Sequence, residues 1–264
     1  MKFVQSLYIF NKKDNTIWCP SDTDKYIWKL SNFYLNRIGI KCDFWGCENA
    51  INFARENDLR FTNIEKIPEL GLNPRLWSIP KLYVASMQNE PFLHLDGDVF
   101  LKKWELKELP EFIVQNKEGW FSEKGHHWFY GFCSFLYSIG ANDVASKIYN
   151  LTKTCKIDIY NFGIFGGTSK NIQKTCLDVF NMCEEFNDRI SEIPMNIFLP
   201  CVLEQIIVPM MMIDKLTFPT CYLNNNVNKD ADRLGFCHLL GPTKKKEKTI
   251  ESVKSRLREF GVID

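Results

Sequence analysis

Short apolar segments alternate with amphipathic segments along the first hundred residues, and this alternation limits the possible folds more than any other feature. Residues 3–10, FVQSLYIF, and residues 40–45, IKCDFW, have the β-branched and aromatic composition of strands. Between them, residues 24–38 predict a helix that ends at Gly39 and has an apolar face made of Ile27, Leu30, Tyr34 and Ile38. Apolar strands that alternate with helices are typical of a parallel sheet covered on both faces. The sequence therefore predicts an α/β fold with a mostly parallel central sheet flanked by helices.

The alternation continues to residue 101. Residues 49–61, NAINFARENDLRF, predict a helix followed by a short third strand, and Pro80 opens another helix over KLYVASMQN. The segment PFLHLDGDVFL, residues 91–101, then predicts a buried strand that ends at Asp96. Because ligands bind at the carboxyl ends of strands in such sheets, this segment is a candidate site.

The second half of the chain is less regular, and we interpret it as part of one domain that spans residues 1–264. Its aromatic segments GWFSE and HHWFYGFCSFL, residues 119–123 and 126–136, are predicted to be strands, as is YNFGIFGG at residues 160–167. Helices are expected near residues 141–153, 172–186 and 197–207. A polar loop over residues 223–235 and an amphipathic helix over residues 244–260 complete the prediction.

The composition limits the class of partner and the compartment. A net charge of +1 gives no global field for nucleic acid, so no nucleic acid partner is expected. The ten cysteines form no CxxC pair and most lie in apolar runs, which favours reduced, buried thiols and a cytoplasmic location. We expect no transmembrane segment and no signal peptide, and a peripheral contact with a membrane is left open.

Two aspartates, Asp96 and Asp98, flank Gly97 at the end of the buried strand. Two ionised carboxylates repel each other, so a cation should lie between them or one should hold a proton. Gly97 is expected to let the backbone turn tightly. Three interpretations remain open at this point: a divalent metal site, a phosphorylated intermediate and a polar turn.

Three further motifs contain polar residues in apolar surroundings. Asn161 and Gly163 lie in the glycine-punctuated segment YNFGIFGG, where structural glycines are the simpler interpretation. Glu204 and Gln205 form a polar pair in VLEQIIVP, and either partners or a solvent-facing helix edge would explain them. In HLLGPTK, a histidine that is a potential metal ligand precedes a glycine and a lysine: His238, Gly241 and Lys244.

The order of these motifs resembles that of the nucleotide-sugar glycosyltransferases of the GT-A fold, and most of all the glycogenin and bacterial galactosyltransferase group, family 8. In that group a DxD motif and the histidine of an HxxGxxK motif hold a metal ion. The resemblance implies a single GT-A (Rossmann-like) domain, with a nucleotide-binding half at residues 1–100 and an acceptor and donor-sugar half at residues 101–264. It also implies that Mn²⁺ or Mg²⁺ is held by Asp96, Asp98 and His238.

The resemblance implies the remaining roles as well. The donor substrate would be a UDP-sugar, and its nucleotide and diphosphate would contact Tyr8, Lys81, Asp96, Gly97, Gly163, Gly241 and Lys244. The catalytic residues that orient the sugar would be Asn161, Glu204 and Gln205. The acceptor would be a glycan or another hydroxyl compound in bacterial surface glycan synthesis, and Trp128 is our candidate for the acceptor side. The acidic nucleotide ligand that the group carries after an early strand has two candidates, Asp43 and Glu48.

Two other classes of protein remain as alternatives. A phosphotransferase of the haloacid-dehalogenase type also carries two aspartates after a strand and would use Asp96 as its nucleophile. A non-catalytic module that binds nucleotide sugars would need the same binding residues without turnover. Release of UDP distinguishes a transferase from both alternatives.

Overall fold

The computed structural model describes residues 1–10, 23–118, 122–223 and 227–264. Its strands are β1 (Lys2–Leu7), β2 (Cys42–Gly46), β3 (Ile64–Lys66), β4 (Phe92–Leu95), β5 (Val99–Leu101), β6 (Ile113–Lys117), β7 (Tyr160–Gly167), β8 (Thr220–Cys221) and β9 (Phe236–His238). Its α-helices are α1 (Asp24–Arg37), α2 (Glu48–Glu56), α3 (Ile79–Ser86), α4 (Ser122–Ser138), α5 (Asn142–Asn150), α6 (Asn171–Glu185), α7 (Val208–Asp214), α8 (Val227–Leu234) and α9 (Glu247–Glu259).

Within these described residues, a seven-stranded sheet has the order β3-β2-β1-β4-β7-β6-β8. The neighbours from β3 to β4 are parallel, β7 is antiparallel to both β4 and β6, and β8 is parallel to β6. A second sheet consists of β5 and β9. The predicted α/β fold, with a mostly parallel central sheet flanked by helices, is confirmed.

Burial explains why the first half was predictable. Every residue of β4 and every residue of β7 is buried, as expected of strands covered on both faces. In α1, the predicted apolar face is buried at Ile27, Leu30 and Tyr34, and Gly39 follows with a φ of 73°, a left-handed conformation that glycine adopts without strain. The predicted closing helix is also present as α9.

The strands predicted in the segment HHWFYGFCSFL are wrong, because this segment belongs to α4. Its fully buried residues recur at helical spacing, at Phe129, Phe132, Cys133 and Leu136. Aromatic composition favoured a strand, but a period of 3.6 residues buries these side chains on one helix face. Residues 119–121 of the other predicted strand lie outside the described residues.

Two other predictions in the second half need correction. The segment predicted as a polar loop contains α8, in which Ala231 and Leu234 pack against the same apolar cluster one turn apart, while residues 224–226 lie outside the described residues. The helix predicted near residues 197–207 is a wider, π-helical segment over Cys201–Ile207 that continues into α7. Pro209 has no amide hydrogen, so it cannot donate the usual helical bond back to residue 205.

No helix among the described residues is long and apolar enough to span a membrane.

Candidate functional site

The candidate site lies at the carboxyl end of β4, near the middle of the sheet. The amide of Asp96 donates to the carbonyl of Gly163 at 2.9 Å, which joins the end of β4 to β7. The amide of Val99 donates to the carbonyl of Asp96 at 3.0 Å and closes the turn into β5. The two aspartates therefore occupy a fixed turn at the sheet edge where parallel sheets bind ligands.

Gly97 lies in the predicted turn, but the space around it, and not its φ, is what requires a glycine. Its φ does not lie in the left-handed region, so another residue could adopt this backbone. A Cβ atom at this position would overlap the indole ring of Trp28 on α1. Because Trp28 packs directly on the Gly97 backbone, the glycine lets α1 approach the turn that carries both aspartates.

The pairing of β5 with β9 brings His238 to Asp98. Val99 and His238 are register partners in this antiparallel pair, and the Leu239 amide donates to the Asp98 carbonyl at 3.1 Å. The His238 Nε2 atom lies 3.2 Å from Asp98 Oδ1. Potential ligand atoms of Asp96, Asp98 and His238 all lie within 4.8 Å of one another. These three residues could therefore hold one metal ion.

A buried glutamine contacts the far side of the same histidine. His238 Nδ1 lies 2.8 Å from Gln115 Oε1, and a Cβ atom at Gly163 would lie 2.5 Å from His238 Nδ1. Real Cβ atoms do not approach other atoms this closely, so Gly163 provides the space in which His238 and Gln115 meet. Gly163 of the segment YNFGIFGG thus has a specific steric role.

Two lysines neutralise the aspartates. Lys244 Nζ lies 2.7 Å from Asp98 Oδ2, and Lys81 Nζ on α3 lies 2.9 Å from Asp96 Oδ1. Lys81 also bonds Glu204 Oε1 at 2.6 Å and the Phe162 carbonyl at 3.2 Å, so these acceptors use all three of its ammonium hydrogens. Each aspartate therefore has one ammonium partner, and Lys81 links Asp96 to Glu204.

Burial and charge shift the pKa values of these groups in opposite directions. Burial opposes ionisation of Asp98, but His238 and Lys244 outweigh it and hold the pKa of Asp98 well below its usual range. Burial raises the pKa of Glu204, only partly offset by Lys81. For Lys81, burial alone would lower the pKa, but Asp96 and Glu204 raise it, so the lysine stays charged.

The residues that were predicted to orient the sugar lie next to the cluster formed by Asp96, Asp98, His238 and the two lysines. Glu204, in the π-helical segment, is joined to Asp96 through Lys81, and Gln205 follows it and is half-buried. Asn161 on β7 is buried; its Nδ2 donates to Glu118 Oε1 at 2.8 Å, and its Oδ1 accepts from the Gly163 amide at 2.9 Å. Both ends of this amide therefore hold the local structure around Gly163.

The other predicted residues lie at the periphery of the cluster or away from it. Tyr8 follows β1 at the same sheet edge, and its hydroxyl accepts from the Leu70 amide at 3.0 Å. Gly241 begins the 3-10 turn Gly241–Lys245 that carries Lys244. Glu48 is exposed and pairs with Lys66 at 2.7 Å, whereas Asp43 lies near the start of β2 and pairs with Lys2 at 3.2 Å. Asp43 is therefore remote from the carboxyl-end edge and does not join the site.

Trp128, our candidate for the acceptor side, lies on α4. Its ring packs edge-on against Phe198, with a centroid distance of 5.8 Å and an interplanar angle of 61°. Helix α4 also contacts the π-helical segment that carries Glu204. The aromatic segment is therefore next to the predicted sugar side, although as a helix and not as a strand.

Sequence reasoning missed several residues around the cluster, among them Trp28 and Gln115. Trp28 lies in an amphipathic helix, and its position there does not indicate a contact with the site. The glycine at position 97 was the available signal of a close neighbour. Gln115 lies in the strand FIVQNK, where a polar residue in an apolar run was the available signal. Its contact with His238 joins residues far apart in the chain, which the sequence pattern does not reveal.

Comparison with known proteins gives one family match and several structural likenesses. A model described as "Family of unknown function (DUF6734)" matches residues 1–260, and no curated protein matches the chain. Among solved structures, the chain is similar to the galactosyltransferase LgtC in complex with donor and acceptor sugar analogs, at 13% identity over 100% of both chains and a TM-score of 0.45.

Two further solved structures give similar sequence identities and TM-scores. An active-site mutant of LgtC is 12% identical over 97% of this chain and 96% of that chain, with a TM-score of 0.48. The apo form of mouse xyloside xylosyltransferase 1 is 10% identical over 83% of this chain and 84% of that chain, with a TM-score of 0.42. The names of these proteins are those of glycosyltransferases. The functional assignment rests on the residues of the site.

Proposed function

The chain belongs to the family of unknown function DUF6734, and from its own site we propose that it is a metal-dependent glycosyltransferase. It transfers a sugar from a nucleotide diphosphate sugar, most simply a UDP-sugar, to a hydroxyl group of a saccharide or another acceptor. The observation that carries this proposal is the cluster of Asp96, Asp98 and His238 within 4.8 Å, with Lys244 bonded to the same carboxylate as the histidine. A dication and an ammonium group side by side suit a diphosphate.

The donor set fits a divalent metal ion. Asp96 and Asp98 offer the oxygen ligands that Mg²⁺ and Mn²⁺ prefer, and His238 adds a nitrogen ligand that Mn²⁺ accepts. If His238 donates from Nδ1 to Gln115, the lone pair of Nε2 faces Asp98 Oδ1 at 3.2 Å. Two lone pairs at this distance need a proton or a cation between them. When bound, the metal would stabilise the negative charge that develops on the departing diphosphate.

Lys244 and Gly241 would act on the diphosphate. The Lys244 ammonium uses one hydrogen on Asp98, and its side chain is 23% exposed, so its other hydrogens can face a phosphate oxygen. Gly241 begins the 3-10 turn that carries this lysine. The turn would thus orient a cation next to the leaving group without further rearrangement.

Glu204, Gln205 and Asn161 would orient the sugar. Lys81 holds Glu204 at 2.6 Å and Asp96 at 2.9 Å, so it fixes the distance between the sugar side and the metal side. We propose this bridging role for Lys81 in place of a direct contact with phosphate. Holding the anomeric carbon against an acceptor hydroxyl is the main contribution that such positioning makes to the rate.

We also propose a cytoplasmic reaction that supplies bacterial surface glycans. The cysteines in the described part of the chain are all free thiols, most of them buried, which suits a reducing compartment. Acceptor binding is proposed for the region of Trp128, next to the segment that carries Glu204.

The test is release of UDP from a panel of UDP-sugars, with and without Mn²⁺. We expect one donor to be turned over only with the metal, and Asp98→Asn to slow this reaction by about 100-fold or more because it removes a charged ligand. The matched control is Asp232→Asn, which changes an exposed aspartate on α8 and should leave turnover unchanged. Phosphate release from phosphate esters without UDP release would instead support the phosphotransferase, and donor binding without turnover would support the binding module.

A further inference from the structure

The side chain of Gln115 is the buried polar group closest to His238 that the proposed function does not use. Gln115 lies on β6, is 3% exposed, and its Oε1 lies 2.8 Å from His238 Nδ1. An amide oxygen can only accept a hydrogen bond. The contact therefore requires that Nδ1 of His238 carry a proton and donate it to Gln115.

The orientation of the Gln115 amide is set by its neighbour in sequence. Gln115 Nε2 donates to Asn116 Oδ1 at 2.9 Å, and Asn116 Nδ2 donates to the Lys117 carbonyl at 3.2 Å. This chain of donors leaves the amide oxygen, and not the amide nitrogen, facing the histidine.

A register shift in β6, of the kind that a β-bulge causes, accompanies this contact between Gln115 and Asn116. In a regular strand, residues 115 and 116 would point to opposite faces of the sheet. The register between β6 and β7 shifts between Val114 and Asn116, so Gln115 lies in an irregularity of the strand. Bulges next to functional sites re-aim side chains, and here both amides are buried and bonded to each other.

The facing strand is shaped for the same contact. Gly163 on β7 lies between Gln115 and His238, and a Cβ atom there would overlap Gln115 Oε1 and the histidine ring. The irregularity in β6 thus accompanies the bond between Gln115 and Asn116, and the missing side chain in β7 leaves room for Gln115 to reach His238.

We propose that Gln115 is the positioning residue that fixes the ring of His238 with Nε2 free to bind a divalent cation. In the neutral ring, a proton on Nδ1 leaves the lone pair on Nε2, and this atom lies beside Asp98 Oδ1. Partners that hold the second nitrogen of a histidine ligand set its tautomer and strengthen metal binding. This inference rests on the metal site of the proposed function, but it is tested by binding and not by transfer.

The test compares Mn²⁺ affinity of the full chain by electron paramagnetic resonance titration in wild type, Gln115→Met and Gln115→Glu. We expect Gln115→Met to weaken Mn²⁺ binding about 10- to 100-fold, and Gln115→Glu, which still accepts from Nδ1, to stay within about threefold of wild type. Nitrogen modulation of the Mn²⁺ echo signal should be present in wild type and in Gln115→Glu, and reduced in Gln115→Met.

The matched control is Gln88→Met, which removes another buried glutamine whose Nε2 donates to the Val84 carbonyl. It should lower the unfolding temperature without changing the affinity for Mn²⁺. If Gln115→Met does not fold, Gln115→Asn serves in its place, because it retains the amide but draws the oxygen away from His238.

The outcomes separate the two proposals. Wild type that binds Mn²⁺ together with a Gln115→Met variant of equal affinity and equal nitrogen signal would overturn the role of Gln115 alone. Wild type without Mn²⁺ binding or nitrogen signal would overturn the metal site itself, and with it both the metal-dependent mechanism and this inference.

Discussion

Asp98 is held by an imidazole and an ammonium group from a distant part of the chain. His238 Nε2 lies 3.2 Å from one of its oxygens and Lys244 Nζ lies 2.7 Å from the other. The side chain is 14% exposed, so the interactions replace much of its contact with water. A carboxylate in this position contributes to folding only while it is ionised.

We therefore predict that Asp98 contributes to stability in a pH-dependent way. Its folded pKa lies below the unfolded value of about 4, so its contribution is fully present above pH 4 and is lost as the pH falls below 4. In metal-free buffer, Asp98→Asn should lower the free energy of unfolding by about 3 kcal/mol at pH 7, because it removes one partner of a buried ion pair. This difference from wild type should shrink between pH 4 and pH 2.

Urea unfolding at a series of pH values measures this difference. Asp232→Asn is again the control, because its exposed side chain should give a much smaller and nearly pH-independent change. An Asp98→Asn variant whose deficit is equal at pH 2 and pH 7 would contradict the proposed ion pairs.

At the scale of elements, helix α4 carries Trp128, the residue proposed for the acceptor side. A helix presents every third or fourth side chain on one face, so Phe129 and Phe132 enter the core while Trp128 remains half-buried beside Phe198. The same helix contacts the π-helical segment with Glu204. A ring at the border between core and surface, close to the proposed sugar side, suits contact with a sugar face.

We predict that Trp128→Ala affects the acceptor more than the donor. The KM for the acceptor should rise by about tenfold, which corresponds to the loss of a stacking contact, while UDP-sugar binding stays within about twofold. Steady-state kinetics together with donor titration measure both quantities. Tyr137→Ala, which removes a 44% exposed ring near the end of the same helix, is the control and should change neither. An equal loss of donor binding in Trp128→Ala would contradict the assignment.

The contrast between elements shows what the sequence can and cannot predict. The strand that ends at Asp96 was predictable because a continuous apolar run and its polar end are local signals. Helix α4 was not predicted, because its aromatic residues favour strands and its helical period competes with that preference. The bulge at Gln115 follows from pairing with β7, and no local pattern in FIVQNK reveals it.

At the scale of the whole molecule, the site joins segments from most of the chain. The turn after β4 supplies the aspartates, α3 supplies Lys81, and β9 with the following turn supplies His238 and Lys244. The sequence motifs named these residues, but the physical reasons differ in part: Gly97 and Gly163 are needed for space, and Lys81 bridges two carboxylates. Such reasons depend on contacts between distant segments, which the sheet creates only on folding.

From the positions of these segments we also predict that the metal ion and the nucleotide bind cooperatively. Two carboxylates and one histidine give a metal only part of its coordination shell, so a diphosphate would complete it. Lys244 bonds Asp98, one of the proposed metal ligands, and would contact the diphosphate as well. Each ligand should therefore bind better in the presence of the other.

The most direct measurement is the unfolding temperature of wild type and Asp98→Ala across a panel of nucleotide sugars, with and without Mn²⁺. A ligand at 100 times its dissociation constant stabilises the folded state by about 2.7 kcal/mol, which is readily detected. We expect one UDP-sugar to raise the unfolding temperature of wild type only with Mn²⁺, and the same mixture to leave Asp98→Ala unchanged. A wild-type protein that is stabilised by Mn²⁺ but by no nucleotide sugar would contradict the proposal that this is a nucleotide-sugar transferase.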